Sequence, residues 1–579
     1  MISKITIDEI VALIRRHDLF FFVGAGISIA KPSFLLTFRE LQNKMIWALC
    51  HDFEPLLKNN YRPIYDAIDA DKYNDPTVIK FLNIPPEYLF EICNKEIVGT
   101  NNSEKYLALE PLNAFRGGLP NRNHRILVNL LLRSFTPAIF TTNFDLLFER
   151  AIEDASSKIG KNITRCWRIE QFITVNTDTP TLFKLHGSVD DSESVVISLD
   201  EIGKRAATAK LKSFQHFLEN YYIFFCGYRG ADIDIFSYLA STKCKGIIWN
   251  AHNENRIIPK IKMLLDAQDG SLIVGDLGHI LEQLSENLNL GVPILDNDNS
   301  KDRSDVLATY YKSFIGWAGK VDHSSKLAIV GDLWEYVGEG AKAMQYFNAG
   351  LELSVTSIDM NTHNTFLQKL ANVCYKLRNY RGAKELCSIL LYNADSLAPA
   401  LRLYQYINTL QLMGLIESKD DIKKGAMLLT QSLGYQEQLE KIDPKSRYLK
   451  SDILLNIATM FHKAHLLDEA LGYYKSALTI YDEFGDIHGR AKILENIGSI
   501  FMQKDRYDDC IDLYGDSEYL LNETGDIPNL AKIHLNLARA YHKLGMLDKS
   551  KEYAKSASRY YKMLSDKQNF DLALKFLTD

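Results

Sequence analysis

Short apolar runs recur through the first half of the chain, and polar or glycine positions follow each of them. The runs are LFFFVGAG (19–26), AIFTTN (138–143), TLFKLHG (181–187), YIFFCGY (222–228), GIIWNAH (246–252) and SLIVGD (271–276). Runs of consecutive apolar residues are typical of strands buried on both faces of a parallel sheet. Helical stretches separate them, so the pattern predicts an α/β domain over residues 1–290. In such sheets ligands bind outside the carboxyl ends of the strands.

A 40-residue periodicity marks the second half of the chain. Small residues recur at Ala458, Gly498 and Ala538, and aromatic residues recur at Phe461, Phe501 and Tyr541. A second small position follows twelve residues later, at Ala470, Cys510 and Ser550. Small residues at this spacing let two antiparallel helices approach closely, so the pattern predicts an all-α solenoid over 320–579. It resembles the tetratricopeptide repeat in a long form, and such arrays expose a concave binding surface.

The polar stretch LNLGVPILDNDNSKDR (288–303) separates the two halves, and we assign residues 291–319 to a linker and leading helix. A chain of 579 residues is too long for one core, which agrees with this division.

The composition is that of an ordinary globular protein, and a net charge of −6 does not indicate nucleic-acid binding. No signal peptide and no membrane span are predicted, so we expect a cytoplasmic protein. The eight cysteines form no CxxC pair, so we expect buried thiols, no metal ligands and no zinc.

The segment GAGIS (24–28) follows the first long apolar run. Gly24 and Gly26 would let backbone N–H groups approach a diphosphate at a helix N-terminus. The third glycine of the dinucleotide fingerprint is missing. Taken alone, the segment is as compatible with a plain strand-to-helix turn as with a nucleotide site.

Four further motifs accompany this turn, each after a predicted strand. They are TTNFD (141–145), KLHGS (184–188), CGYRGADID (226–234) and IIWNAHNE (247–254). In this order the set resembles the sirtuin family over roughly residues 10–290, so the expected fold is a Rossmann-like sirtuin domain. The nearest branch is the bacterial sirtuin-like domains fused to other modules in anti-phage defence proteins.

The resemblance implies a site for NAD, which sirtuins consume as a substrate. It assigns Asn143 and His186 as the catalytic residues. It places the other cofactor-binding residues as follows: Gly24, Ala25, Gly26 and Ser28 at the diphosphate and adjoining ribose; Asp145 beside Asn143 at the nicotinamide ribose and carboxamide; Gly227 and Arg229 in a second nucleotide loop; Asn250 at the adenosine ribose; and Asp276 in the last nucleotide-side turn. Arg229 stands where a small serine is common in the family. His124 also matches a histidine of relatives, but we interpret it as a helix-start histidine.

The implied chemistry suits these residue types. Cleavage of the bond between ribose C1′ and nicotinamide develops oxocarbenium character, so the sugar must be held by hydrogen bonds. A histidine with a pKa near neutrality can accept a proton from water or a ribose hydroxyl, and an asparagine amide can orient that water. Structural alternatives stay open: Asp145 as a cap of the following helix, His186 as a packed strand-end residue, and Asn143 as a turn residue.

Three departures from lysine-deacylating sirtuins bear on the reaction. Those enzymes carry a four-cysteine zinc ribbon after the catalytic histidine, whereas only Cys226 and Cys244 follow His186 within a hundred residues. The segment after the glycine turn is altered to AKPSF (30–34), and VVISLDEIGKR (195–205) replaces the segment that forms the acyl-peptide cleft. We therefore expect water as the second nucleophile and hydrolysis of NAD to nicotinamide and ADP-ribose.

The two halves together suggest an NAD hydrolase controlled by its repeats. The resemblance implies a homo-oligomer that aborts phage infection by depleting NAD, with a phage-derived trigger or a regulatory partner protein bound by the repeats. Two other functions remain open at this point. One is a protein deacylase or ADP-ribosyltransferase that uses NAD, and the other is a non-catalytic sensor of NAD or ADP-ribose.

Overall fold

A computed structural model supplies the fold. It describes residues 2–51, 84, 86–98, 105–174, 179–197, 205–230, 235–236, 238–239, 242–254, 257, 259–292, 303–357, 359–484, 486–524, 527–563 and 566–578. Parts of three sequence motifs lie outside these ranges: residues 231–234 of CGYRGADID, 198–204 of VVISLDEIGKR and 293–302 of the polar linker.

The first half forms the predicted α/β domain around one parallel sheet. The described strands are β1 (Ser3–Lys4), β2 (Leu19–Val23), β3 (Ala138–Thr141), β4 (Thr164–Cys166), β5 (Thr181–Lys184), β6 (Tyr222–Cys226), β7 (Gly246–Ala251) and β8 (Ser271–Val274). Their order across the sheet is β1-β8-β7-β6-β2-β3-β5-β4, and every pairing is parallel. Strands β2, β3 and β5 are buried along their whole length, as their unbroken apolar sequences predict.

Helices cover both faces of this sheet. They are α1 (Ile7–Arg15), α2 (Phe38–His51), α3 (Pro86–Cys93), α4 (Lys105–Leu109), α5 (Arg122–Leu132), α6 (Leu147–Ile159), α7 (Ile169–Thr174), α8 (Arg205–Asn220), α9 (Pro259–Ala267) and α10 (Leu277–Asn287). A 3₁₀ turn spans Ala25–Ser28, another spans Glu110–Arg116, and a π-helical turn spans Asn94–Val98. Side-chain caps define several helix starts, such as the capping box between Thr6 and Glu9 at α1.

The second half is helical throughout its described ranges. Its helices are α11 (Arg303–Ala318), α12 (His323–Tyr336), α13 (Gly340–Ser357), α14 (Met360–Lys376), α15 (Tyr380–Ala394), α16 (Pro399–Glu417), α17 (Ile422–Ile442), α18 (Arg447–Lys463), α19 (Leu467–Phe484), α20 (Ile487–Gln503), α21 (Tyr507–Thr524), α22 (Ile527–Lys543), α23 (Leu547–Met563) and α24 (Lys567–Thr578). The small positions lie where paired helices touch: a Cβ on Gly498 would lie 2.6 Å from the Tyr514 ring. The structure therefore confirms the predicted fold class, a parallel α/β sheet followed by helical repeats.

The helical half of the chain contacts the α/β domain through its leading helix and again near its far end. At the start, Phe314 and Trp317 of α11 belong to the same buried cluster as Trp47 of α2, and the Trp317 indole N–H donates to the Leu107 carbonyl (2.9 Å). At the far end, α21 contacts α8 and α23 contacts α9. The leading helix is thus packed onto the α/β domain.

All eight cysteines are buried and unpaired in the structure. Burial raises the pKa of these thiols, for example that of Cys50 to about 12, so they are unreactive at neutral pH. Across the described ranges, no helix combines the length and the apolar character needed to cross a membrane.

Candidate active site

The sheet register brings four sequence motifs to one edge. Val23 pairs with Thr141 on one side and with Cys226 on the other, and Thr141 pairs with Lys184. The order β6-β2-β3-β5 therefore continues directly into the Gly227 turn, the Gly24 turn, the Asn143 loop and the His186 loop. The backbone bond from the Leu185 N–H to the Thr141 carbonyl (2.9 Å) extends the ladder beyond the strand end. Asn143 and His186 thus occupy equivalent positions, two residues past adjacent strands.

Asn143 is buried, and its side-chain amide carries an unused donor. Its backbone N–H donates to Thr141 Oγ1 (3.0 Å), and the Thr141 hydroxyl donates to the Val23 carbonyl (2.8 Å). Within the described part of the chain, Asn143 Nδ2 has no hydrogen-bond partner. A buried donor without an acceptor costs about 1–3 kcal/mol. A bound ligand that supplies an acceptor would remove that cost.

His186 is buried beside the Asn143 loop. Its ring lies 6.1 Å from the Phe144 ring, centroid to centroid, and its carbonyl accepts from the Val196 N–H (3.0 Å). The Val189 N–H donates to the Phe144 carbonyl (3.0 Å), which joins the two loops a second time. Gly187 has φ +90°, and a Cβ there would lie 2.2 Å from the Ser194 carbonyl oxygen. The glycine after His186 is therefore required by this tight turn.

Lys184 joins the Asn143 loop to the His186 loop through its buried ammonium group. Its side chain is 1% exposed, and its ammonium donates to Glu149 Oε1 (2.7 Å), to the Asp145 carbonyl (2.6 Å) and to Ser188 Oγ (2.9 Å). A buried ammonium persists only when it is paired and hydrogen-bonded in this way. No role was predicted for Lys184, although it lies within the KLHGS motif. A lysine inside an apolar strand end is the signal that could have identified it.

Asp145 lies two residues after Asn143 and is buried as well. Its Oδ1 accepts from the Leu147 N–H (3.0 Å), which supports the capping alternative at the start of α6. Its Oδ2 lies 3.1 Å from Ser28 Oγ, so two predicted site residues are in direct contact. Burial raises the pKa of the Asp145 carboxyl, although the charge of Lys184 opposes the shift.

His124 lies in the first turn of α5, as predicted, and it also contacts Ser28, which was not predicted. It is fully buried near the start of α5, with Nε2 3.3 Å from Ser28 Oγ and Nδ1 2.8 Å from Asn121 Oδ1. Burial, together with the nearby charge of Arg125, lowers the pKa of His124 to about 3, so the imidazole is neutral. The family resemblance was the one signal that pointed to this histidine, because apolar periodicity explains its burial equally well.

The glycine turn interlocks with the Gly227 turn. The Gly24 N–H donates to the Cys226 carbonyl and the Gly26 N–H donates to the Gly227 carbonyl (both 2.9 Å). A Cβ on Gly26 would lie 2.7 Å from Gly227 O, and Gly227 itself has φ +61°. The close approach of the two turns therefore explains these glycines without a ligand. Contact of the turn, including the half-buried Ala25, with a diphosphate stays a prediction.

The remaining predicted residues lie on the β6–β8 side of the same edge. Asn250 Nδ2 donates to the Gly275 carbonyl (3.1 Å), which ties the end of β7 to the turn after β8. Asp276 caps α10 by accepting from the His279 N–H (3.1 Å), with a side chain 67% exposed. Arg229 is exposed. Four strand spacings separate β5 from β7, about 19 Å in all, so Asn250 and Asp276 lie beyond contact distance of His186.

Comparison with known families assigns this architecture. Residues 137–245, which contain Asn143, Asp145, His186, Gly227 and Arg229, match the family model described as a SIR2-like domain. This chain carries a SIR2-like domain. Residues 489–563 match the tetratricopeptide repeat model, so the SIR2-like domain is followed by repeats of that type.

One curated relative supports the same assignment over a short stretch. The chain is 36% identical over 87 residues to a protein named NAD(+) hydrolase ThsA from Enterococcus faecium. The matched stretch is 14% of this chain and spans 16% of the length of that relative.

Solved structures resemble this chain only weakly. BtubC from P. vanneervenii is 19% identical, with 38% of this chain and 91% of that chain covered and a TM-score of 0.34. The apo form of RapI is 17% identical, with coverages of 45% and 92% and a TM-score of 0.33. Aspartyl phosphate phosphatase F from Bacillus subtilis is 11% identical, with coverages of 55% and 75% and a TM-score of 0.34. Scores this low carry no statement about function.

Proposed function

We propose that the SIR2-like domain hydrolyses NAD to nicotinamide and ADP-ribose. The observation that carries the proposal is the unpaired, buried amide donor of Asn143 beside His186, at the ligand-binding edge of the sheet. The short match to a named NAD(+) hydrolase points to the same substrate.

In this reaction the bond between C1′ and the nicotinamide nitrogen breaks, and its electron pair leaves with the ring as neutral nicotinamide. Water forms the new C1′–O bond, and His186 is positioned to take the proton that the water loses. The Asn143 amide donates to the attacking water or to a ribose hydroxyl as positive charge grows on the sugar. Both groups sit on loops fixed by Lys184, so their orientation costs little at the moment of reaction.

We expect bound NAD to lie across the carboxyl ends of the strands, with its two halves in the order of the predicted residues. The nicotinamide ribose lies at the β3 and β5 ends, with Asn143, Asp145 and His186. The diphosphate crosses the interlocked turns that contain Gly24, Ala25, Gly26 and Gly227. The adenosine half extends toward β7 and β8, where Asn250, Asp276 and Arg229 are placed. Ser28 contacts Asp145 from below and supports the nicotinamide end.

We further propose that the repeats control this activity. A buried cluster of three charged residues supports this view: Lys369 on α14 pairs with Asp332 on α12 (2.8 Å) and with Glu96 in the π turn of the α/β domain (3.0 Å). The Ser325 hydroxyl also donates to the Glu96 carbonyl (2.7 Å). Binding of a phage-derived trigger or a regulatory protein by the repeats would act on the catalytic domain through these contacts. The resulting loss of NAD would abort infection, in a cytoplasmic homo-oligomer.

The test uses the purified full-length chain with NAD, following nicotinamide release by chromatography and NAD binding by calorimetry. We expect release in the parent and at least 100-fold less in Asn143→Ala and in His186→Ala. Asn220→Ala and His216→Ala, both exposed on α8, are matched controls that should keep the parent rate. Calorimetry reports binding even if the repeats hold the enzyme inactive.

Other outcomes separate the alternative functions. Transfer of ADP-ribose to a protein, or efficient removal of acetyl groups from a lysine peptide with intact free NAD, would replace hydrolysis with the transferase or the deacylase. Tight NAD binding without turnover, in the presence of an infected-cell extract, would indicate a sensor. Loss of neither binding nor turnover in the two alanine variants would remove these residues from the site.

A further inference from the structure

Four buried side chains form one continuous hydrogen-bonded row beneath Asn143. The row runs from Asp145 Oδ2 to Ser28 Oγ (3.1 Å), on to His124 Nε2 (3.3 Å), and from His124 Nδ1 to Asn121 Oδ1 (2.8 Å). All four side chains are at most 5% exposed. In such a row each proton can serve only one bond, so the directions of the bonds can be deduced from one fixed end.

Asn121 is the fixed end. Its Nδ2 donates to the Ile27 carbonyl (2.7 Å), and its Oδ1 accepts from the His124 backbone N–H (3.3 Å). Flipping the amide would set oxygen against the Ile27 carbonyl and would set two N–H groups against each other. Oδ1 is therefore the acceptor, and His124 Nδ1 must carry a proton.

The remaining bonds follow from that assignment. With Nδ1 protonated, a neutral His124 presents a lone pair from Nε2 to Ser28, so the Ser28 hydroxyl must donate to it. The only serine proton is then used, and Asp145 Oδ2 must supply the proton for its own contact with Ser28. If Asp145 were an anion beside a neutral imidazole, one of the two Ser28 contacts would pair two acceptors in a buried place, which is costly.

We propose that Asp145 and His124 hold one shared proton through Ser28, with Asp145 as a neutral carboxylic acid and His124 as a neutral imidazole. His124 is then a positioning residue, since its lone pair sets the direction of the Ser28 hydroxyl. The same proton count is met by an aspartate anion with an imidazolium cation. Burial disfavours both of those charges, which favours the neutral pair.

The charged groups around the row agree with a neutral assignment. Lys184 donates to the Asp145 backbone carbonyl, but its charge is balanced by Glu149 at 2.7 Å. Arg125 lies beside His124, opposes an imidazolium there, and pairs with Asp154 (3.1 Å). Tyr310 of α11 is a neutral phenol, because burial raises the pKa of its hydroxyl.

This inference rests on the proposed function for its consequence. The nicotinamide ring is cationic in NAD and neutral once released. A carboxylate below the ring would stabilise the bound substrate more than the transition state, whereas a carboxylic acid would not. The row therefore places no negative charge next to the nicotinamide ring while positive charge develops on the ribose.

Infrared spectroscopy of the full-length protein labelled with ¹³C-aspartate tests the assignment without any substrate. We expect a carboxylic-acid C=O band at pH 7 that is absent from Asp145→Asn and present in Asp154→Asn, a surface control. Asparagine at 145 can accept from the Leu147 N–H and donate to Ser28, so the variant should fold and should melt no lower than the parent at pH 7. Nitrogen NMR of labelled histidine, assigned with His124→Gln, should show a neutral ring protonated at Nδ1.

The two spectra together determine the protonation states of Asp145 and His124. An acid band together with a neutral His124 supports the proposal. A carboxylate spectrum with an imidazolium His124 would overturn the neutral assignment, and a carboxylate with a neutral ring would overturn the shared proton itself. Because neither readout involves NAD, an acid band in a protein that neither binds nor cleaves NAD would reject the hydrolase function and leave the proton assignment intact.

Discussion

Lys369 of the repeats and Glu96 of the α/β domain form a buried ion pair, with Nζ 3.0 Å from Oε1 and each side chain 9% exposed. Asp332 completes the cluster at 2.8 Å from the same ammonium. Removing Lys369 from this cluster leaves two largely buried carboxylates with the exposed Lys95 as their remaining neighbouring cation among the described contacts. The two halves of the chain are therefore coupled through a contact that is costly to break.

Lys369→Met should destabilise the protein by about 3–5 kcal/mol and loosen the attachment of residues 86–98 to the repeats. Lys376→Met is the matched control, because Lys376 is exposed and its pairing with Glu335 is expected to contribute at most about 1 kcal/mol. Hydrogen exchange, read together with thermal unfolding, measures both effects. Equal exchange at residues 86–98 in the two variants would show that the cluster does not couple the domains.

The stability of the protein should depend on pH in a way set by Asp145 and His124 together. Burial holds the pKa of Asp145 above 3.8 and that of His124 near 3, against an ordinary 6.5. With the shared proton proposed above, the folded pair carries one proton, on aspartate, between pH 4 and 6.5, and the unfolded pair carries one, on histidine. The proton counts are equal, so this pair contributes no slope in that window.

Replacing one residue of the pair at a time should reveal two opposite dependences of the free energy of unfolding on pH. In Asp145→Asn only His124 remains, its folded pKa is depressed, and stability should rise with pH by about 1.4 kcal/mol per unit between pH 4 and 6. In His124→Gln only Asp145 remains, its folded pKa is raised, and stability should fall as pH rises above 4. Melting temperatures across this range measure both. Parallel curves for the two variants would contradict the assignment.

The fold, and the placement of Asn143 and His186 at one edge of the sheet, could be predicted because both depend on local pattern. Unbroken apolar runs mark buried parallel strands, and parallel strands bring their carboxyl ends to one edge, so Asn143 and His186 had to lie near each other. The repeat register followed from small residues such as Gly498, which admit a neighbouring aromatic ring. Each of these signals lies in a few consecutive residues or in a fixed period.

The remaining features depend on contacts between distant segments. Lys184 acquires its role from Glu149, 35 residues earlier, and His124 acquires its role from Ser28, 96 residues earlier. Neither of these contacts produces a periodic pattern that could be recognised in a single sequence. The glycine turn shows the opposite case: the motif suggested a phosphate loop, whereas packing against Gly227 already accounts for Gly24 and Gly26.

Gly26→Ala tests that packing account. The new Cβ would lie 2.7 Å from Gly227 O, a backbone atom that cannot move alone, so we expect a loss of about 1–3 kcal/mol and weaker NAD binding. Gly117→Ala is the control, since a Cβ there meets nothing within 4 Å. Calorimetry and thermal unfolding measure the pair. A Gly26→Ala protein as stable as the parent would mean that the two turns separate easily.

Lys184→Met tests whether one ammonium positions the Asn143 loop and the His186 loop. Methionine fills much of the same volume but leaves Glu149, the Asp145 carbonyl and Ser188 without their donor, so we expect a loss of about 3–5 kcal/mol. Replacing Glu149 at the same time, as Lys184→Met with Glu149→Leu, should restore part of the stability because the uncompensated carboxylate is gone. It should not restore nicotinamide release, since neither new side chain can hold the Asn143 loop against the His186 loop.

Lys245→Met, which removes a partly exposed pair with Asp18, controls for the loss of a lysine. If the double variant recovered stability and full turnover together, the ammonium would be a structural feature of the core and the geometry of the two loops would have another origin.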